Sequence, residues 1–153
     1  LSFCRFQYQG RACKKCPAFP LRLLLHLQRI CMPPKILIAD DEQSIVVPLE
    51  FLMQQKGYQV MAAYNGEEAI EKIISFNPDL ILLDIMLPII DGFEVCQMIR
   101  SNPNWKDIKI IFVSAMGREV DIAKGLALGA DAYITKPFAN AEIIQKVREV
   151  LGH

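Results

Sequence analysis

Two adjacent carboxylates at Asp40 and Asp41, a third at Asp84, a hydroxyl at Ser114 and an ammonium at Lys136 are the groups here whose types could do chemistry together. Each follows directly on a short apolar run. Clustered carboxylates repel one another and are hard to keep ionised without a cation. Hard oxygen ligands of this kind suit Mg²⁺, which keeps several waters and commonly shares its shell with a phosphate. A carboxylate beside a metal can act as a nucleophile and form an aspartyl phosphate. A hydroxyl and an ammonium can then hold the phosphoryl oxygens as charge develops on them. The same negative cluster argues against a flavin or phosphate loop, which wants Ser, Thr or Gly with free backbone amides where this chain has Asp40-Asp41-Glu42. No Ser-His-Asp or Cys-His set is within reach, because His26 and His153 lie near opposite ends of the chain.

These groups can act together only if the chain positions them. Apolar runs at 35–39, 59–63, 79–83, 109–113 and 132–135 read as buried strands. Between and after them lie helical patterns at 44–56, 66–76, 92–101, 118–128 and 141–151. Turn signals mark the joins, among them Lys56-Gly57, Asn65-Gly66, Asn77-Pro78, Asp91-Gly92 and Leu128-Gly129. Pro48 falls early enough in the first helix to be tolerated or to kink it slightly. Strands alternating with helices predict a doubly wound α/β domain with a five-stranded parallel sheet and five helices. Ligands of such sheets bind beyond the carboxyl ends of the strands, where strand order reverses. With the order 2-1-3-4-5, Asp40/Asp41, Asp84, Ser114 and Lys136 follow four adjacent strands, and only the second strand, ending at Ala63-Tyr64, brings no such group. Met53, Met61 and Met98 read as core filler. Glu67, Glu68, Glu71 and Lys72 read as a solvated helix face.

Charge divides the chain. Residues 1–31 hold six basic residues and no acid, whereas 32–153 carries eleven Lys/Arg against seventeen Asp/Glu, a net of −6. The acidic part lacks the basic stripe of a nucleic-acid face, so no direct nucleic-acid contact is expected. No apolar run approaches the roughly 18–20 residues that span a bilayer, so no membrane contact and a cytoplasmic location are expected. Cys4, Cys13, Cys16 and Cys31 crowd the first segment, but Cys13-Lys-Lys-Cys16 lacks a second pair at zinc spacing. The expected organisation is a non-domain leader over 1–31, through a misplaced start or an appended stretch ahead of Met32, followed by one domain over 32–153. A targeting peptide is the alternative for the leader. The last helical pattern ends at residue 151, which leaves no room for a second domain within the chain.

The stretches ILIADDE (36–42), DLILLDIMLPIIDGFE (79–94), IIFVSA (110–115) and GADAYITKPF (129–138) resemble, in order and spacing, the receiver domain of bacterial two-component response regulators. The likeness is to the stand-alone, chemotaxis-regulator type, whose fold is flavodoxin-like. The resemblance implies that Asp84 accepts a phosphoryl group from a sensor histidine kinase or phosphotransfer protein. It implies Mg²⁺ held by Asp41 and Asp84 directly, by Asp40 through a water, and by the Met86 carbonyl. It implies that Lys136 pairs with the phosphoryl group, before a Lys136–Pro137 bond that is often cis. Ser114 and Tyr133 would be switch residues, signalling through the fourth helix, fifth strand and fifth helix, with Lys124, Lys146 and Arg148 for charged contacts. A kinase would dock on Ile45, Val46, Pro137 and Phe138. The protein would be a monomer or a phosphorylation-dependent dimer, and a phosphoacceptor rather than an enzyme. A Mg²⁺-dependent phosphohydrolase, the competing reading, wants a second acid two residues after the nucleophile, where Met86 stands. A receiver separated from a DNA-binding or cyclase output domain is the remaining alternative.

Overall fold

The computed structural model describes residues 32–152. The leader over 1–31, with its four cysteines and His26, lies outside the described residues, as does His153. The elements run β1 (Lys35–Ala39), α1 (Gln43–Gln55), β2 (Gln59–Ala63), α2 (Gly66–Phe76), β3 (Leu80–Leu83), α3 (Gly92–Ser101), β4 (Lys109–Ser114), α4 (Glu119–Ala127), β5 (Ala132–Thr135) and α5 (Asn140–Leu151). The sheet has the order β2-β1-β3-β4-β5 with every pair parallel. The expected architecture is therefore present, with element ends displaced by a residue or so. No helix among the described residues is long and apolar enough to cross a membrane.

Alternation along the strands builds two cores. Leu37, Ile81, Leu83, Ile110 and Phe112 face α2 and α3, meeting Ile73, Val95 and Ile99. Ile36, Ile38, Leu80, Leu82, Ile111 and Val113 face the other way, onto Val46, Leu49 and Met53 of α1 and Ile143 and Val147 of α5. Burying each such aliphatic side chain is worth about 1.5–3 kcal/mol. A sheet covered on both faces therefore needs strands that are apolar at every position, which is what the continuous runs encode. The α1 helix continues through Pro48.

Three expectations about individual side chains are corrected. Met98 is 42% exposed rather than core filler, because Val95, Cys96 and Ile99 form the inner stripe of α3 and Met98 falls outside it. Met53 is fully buried and Met61 half-buried, as core positions should be. Val46 is fully buried against the sheet and cannot meet a partner, whereas Val47 and Phe51 point outward from α1. Glu68 and Lys72 are not merely solvated. The Asn65 side chain caps α2 by accepting from the Glu68 amide at 2.7 Å, and the Glu68 carboxylate accepts from the Tyr64 amide at 2.7 Å. Lys72 then joins Glu68 to the Ala62 carbonyl, stitching α2 to the end of β2.

The loop from β3 to α3 is held by close backbone approach. A Cβ on Gly92 would lie 2.1 Å from the Asp84 carbonyl oxygen and 2.8 Å from Ile85 Cα. One on Gly66 would meet the Ile90 carbonyl at 2.0 Å. Between these contacts Ile89 adopts φ of 72°, a left-handed conformation that costs an L-residue roughly 1–2 kcal/mol. Because backbone rather than a flexible side chain opposes it, Gly92→Ala is expected to cost about 2 kcal/mol or more, read as a lower urea midpoint at unchanged slope. A midpoint within error of wild type would refute the close packing.

Candidate functional site

The parallel ladder delivers the site. Ala39 lies opposite both Ala63 and Leu83, and Leu83 opposite Phe112. The pairing runs one residue past the strands: the Asp40 amide donates to the Ala63 carbonyl at 3.0 Å, Asp84 to Ala39 at 2.8 Å and Lys136 to Ser114 at 2.9 Å. The register that buries the apolar runs therefore also places Asp40, Asp84, Ser114 and Lys136 along one edge. Asp40, Asp84 and Ser114 are buried, while Asp41 is exposed.

Lys136 closes the cluster. Its Nζ donates to Asp40 Oδ2 at 2.6 Å, to Asp84 Oδ2 at 2.8 Å and, more distantly, to Glu42 Oε1 at 3.4 Å. Burial disfavours its ammonium, yet the two aspartate hydrogen bonds outweigh burial and push its pKa up to about 12. Lys136 is thus a fixed positive charge. Burial pushes the Asp40 carboxyl above its ordinary value, with nearby Asp84 adding to the effect, against the lowering by Lys136 and the Glu42 amide. The remaining oxygens accept backbone amides, Asp40 Oδ1 from Glu42 at 2.9 Å and Asp84 Oδ1 from Met86 at 3.2 Å. Asp40, Asp41 and Asp84 each offer a carboxylate oxygen within 4.8 Å of the others, a spacing and donor type that fit a hard divalent cation.

On the β4 side, Ser114 Oγ accepts from the Met116 amide at 3.4 Å, and the half-buried Tyr133 hydroxyl donates to the Met116 carbonyl. Burial pushes the Tyr133 phenol upward, so it stays a donor at neutral pH. Its ring packs on Phe112 at 5.9 Å, which in turn meets Phe93 at 5.5 Å. The Lys136–Pro137 bond is cis.

Residues 36–148 match the family model for the response regulator receiver domain. The chain belongs to this family. Its receiver is 44% identical over 120 residues to the alkaline phosphatase synthesis transcriptional regulatory protein PhoP of Bacillus subtilis, covering 78% of this chain and 49% of that one. The chain thus spans about half the length of that curated relative. Among solved structures, a putative response regulator from Chloroflexus aurantiacus superposes with a TM-score of 0.75 at 34% identity, over 79% of this chain and 99% of the other. The chemotaxis protein CheY4 of Vibrio cholerae gives 0.73 at 28%, over 77% and 98%. The receiver therefore has the flavodoxin-like fold of the chemotaxis-regulator type, and receivers of this family serve two-component phosphorelay signalling.

Sequence reasoning missed some neighbours. Glu42 reaches Lys136, and the Asp40-Asp41-Glu42 run placed it there without assigning it a part. Asp121 is buried on α4 beneath Arg118, whose guanidinium donates to it at 2.8 and 3.2 Å. The signal was an i,i+3 ion-pair spacing at the start of the helix. Arg100 ties α3 to the Ile108 and Gly129 carbonyls and to Asp131, contacts too distant in sequence for any local pattern to show.

The electrostatics predict the effect of removing the ammonium. Lys136→Met leaves two buried carboxylates uncompensated and should cost about 3 kcal/mol at pH 7 in chelator. Asp40 has a folded-state pKa above its ordinary 3.8, so its ionisation opposes folding, fully above the folded value and not at all below the unfolded one. Denaturant titrations across pH should therefore show the variant's deficit narrowing as pH falls through the carboxylate range. A deficit independent of pH would rule out charge as its cause.

Proposed function

We propose that the receiver takes a phosphoryl group on Asp84 from a histidine kinase or phosphotransfer protein and passes the signal on through its surface. The observation that carries this is Asp84 buried at the end of the central strand, with its Oδ2 bound to the fixed charge of Lys136 at 2.8 Å. An Asp84 carboxylate oxygen attacks phosphorus as the phosphohistidine P–N bond breaks and the imidazole leaves. Asp41 and Asp84 would hold Mg²⁺ directly, with Asp40 through a water and the Met86 carbonyl completing the protein's ligands. When bound, the cation offsets the negative charge of the carboxylates and of the incoming phosphoryl oxygens. Lys136 moves its hydrogen bond from the carboxylate to a phosphoryl oxygen. Ser114 turns its hydroxyl toward the phosphate, and Tyr133 follows on the Met116 carbonyl. That movement biases the face built from α4, β5 and α5 toward a second arrangement.

On that face Lys146 is already paired with Glu149 at 2.9 Å, and Lys124 lies over the Phe93 ring at 4.0 Å. Arg148 is left as the more available basic side chain. A cavity of about 470 Å³ between α1 and the loop after β5 includes Ile45, Pro48, Lys136, Pro137 and Phe138. We assign the donor's docking to this surface, without the buried Val46. Dimerisation on phosphorylation remains part of the proposal, as does the separation of the domain from residues 1–31.

Intact mass spectrometry after acetyl phosphate and Mg²⁺ is expected to show one added phosphoryl group, lost in Asp84→Asn and on chelation. Ala115, small and exposed beside Ser114, leaves room for such a donor. Modification that survives Asp84→Asn would overturn the assignment. The side chains two residues after Asp84 and Ser114 are Met86 and Met116, and neither can orient or deprotonate a water. Self-dephosphorylation should accordingly be slow, and Met86→Asn with Met116→Glu should speed it by about tenfold or more. An unchanged decay of the phosphorylated species would show that these positions do not limit hydrolysis.

A further inference from the structure

Beyond the phosphoacceptor site, an apolar patch lies on the other side of the β3–α3 loop. Ile89 is 72% exposed and Met98 42%. Behind them is a groove of about 410 Å³ lined by Ile90, Glu94, Gln97, Met98 and Ser101. Its charges among the described residues are of one sign. Glu94 lines it, and exposed Asp91 caps the same helix by accepting the Glu94 amide at 2.9 Å. Exposed Glu67 flanks the loop, because its neighbour Gly66 donates to the Pro88 carbonyl at 3.2 Å. Among the described residues no Lys or Arg lines the groove. The nearby cations are engaged elsewhere, Lys72 on Glu68 and the Ala62 carbonyl, Arg100 on Asp131 and the Ile108 and Gly129 carbonyls.

The backbone adds an independent observation. Ile89 holds φ of 72° with a β-branched side chain that points mostly into solvent. Glycine would adopt this conformation without penalty, and so little of the side chain is buried that packing cannot account for an isoleucine there. A strained residue that gains nothing inside its own fold is a candidate for gaining it in a complex. Met98, which lines the groove, is a side chain well able to mould to another surface.

We infer that this loop and the outer face of α3 form a docking site for a basic amphipathic helix of a partner protein. Such a helix lays its apolar stripe on Ile89, Ile90 and Met98 and sets its lysines or arginines against Glu67, Asp91 and Glu94. A second copy of the receiver is disfavoured, because it would bring the same acidic rim against itself. An anionic lipid surface is disfavoured for the same reason. The surface is separate from the cavity at α1 and from the α4–β5–α5 face.

The test is an NMR titration of the full, unphosphorylated chain with a short amphipathic helix of leucine and lysine, beside a leucine–glutamate helix of the same pattern. Because no phosphoryl group is involved, its outcome is independent of the role of Asp84. The lysine peptide should shift the amides of Ile89, Ile90, Gln97 and Met98, and the glutamate peptide should not. Ile89→Gly and Met98→Gln should each weaken binding by about tenfold, and Glu94→Lys by at least as much. Ile89→Gly should also unfold at a higher denaturant concentration than wild type, which separates loss of contact from loss of fold. Equal binding of both peptides, shifts confined to α1 or to α4–β5–α5, variants that bind like wild type, or self-association across the groove in sedimentation would each overturn the proposal.

Discussion

Mutual repulsion among carboxylates at the end of a buried sheet is the constraint on which this structure depends. Asp40 and Asp84 are held out of water a short distance apart, and Lys136 bridges them at 2.6 and 2.8 Å. Two buried carboxylates without that ammonium would cost several kcal/mol. The ammonium alone leaves three acids against one base, with Glu42 close by. A site built this way is under-compensated, and it gains by taking up positive charge. The feature that makes it costly to fold is the same one that gives it a donor set fitting a hard divalent cation.

What holds the charges together is apolar. The ladder that pairs Ala39 with Leu83 and Leu83 with Phe112 is apolar at every position but its first β4 residue, Lys109. A slip of one residue would nevertheless turn every strand's two faces over and carry the aspartates out of line. Register is set by burial on both faces of the sheet, and the site inherits its geometry from that register. Gly92 against the Asp84 carbonyl serves the same end on the loop side, since any side chain there would lift the loop away from the carboxylate.

This explains why so much was legible in the chain. Apolar runs of which four end in a functional group encode both the strands and the residues that converge at their ends, and the strand order follows from asking where those groups would meet. Local pattern failed where position on a helix surface, not residue type, decides the outcome. Met98 and Val46 have the composition of core and docking residues respectively, and only the inner stripe of each helix shows that they are reversed. Glu68 and Lys72 looked like surface charge because their partners, the Tyr64 amide and the Ala62 carbonyl, are backbone groups that residue types do not disclose. Arg100 failed for a different reason, as its acceptors lie up to 31 residues away.

The β3–α3 loop shows how stability and recognition divide a short segment between them. Gly92 and Gly66 lie where another backbone leaves no room for a side chain, and there the chain has glycine. Ile89 lies three residues before Gly92, in a conformation where glycine would be at ease, and there the chain has a branched apolar residue. If the loop answered only to folding, the strained position would be the first to become glycine, since the exposed side chain returns little packing for the conformational cost. The contrast within a few residues argues that the loop answers to a second requirement, met outside the domain's own core.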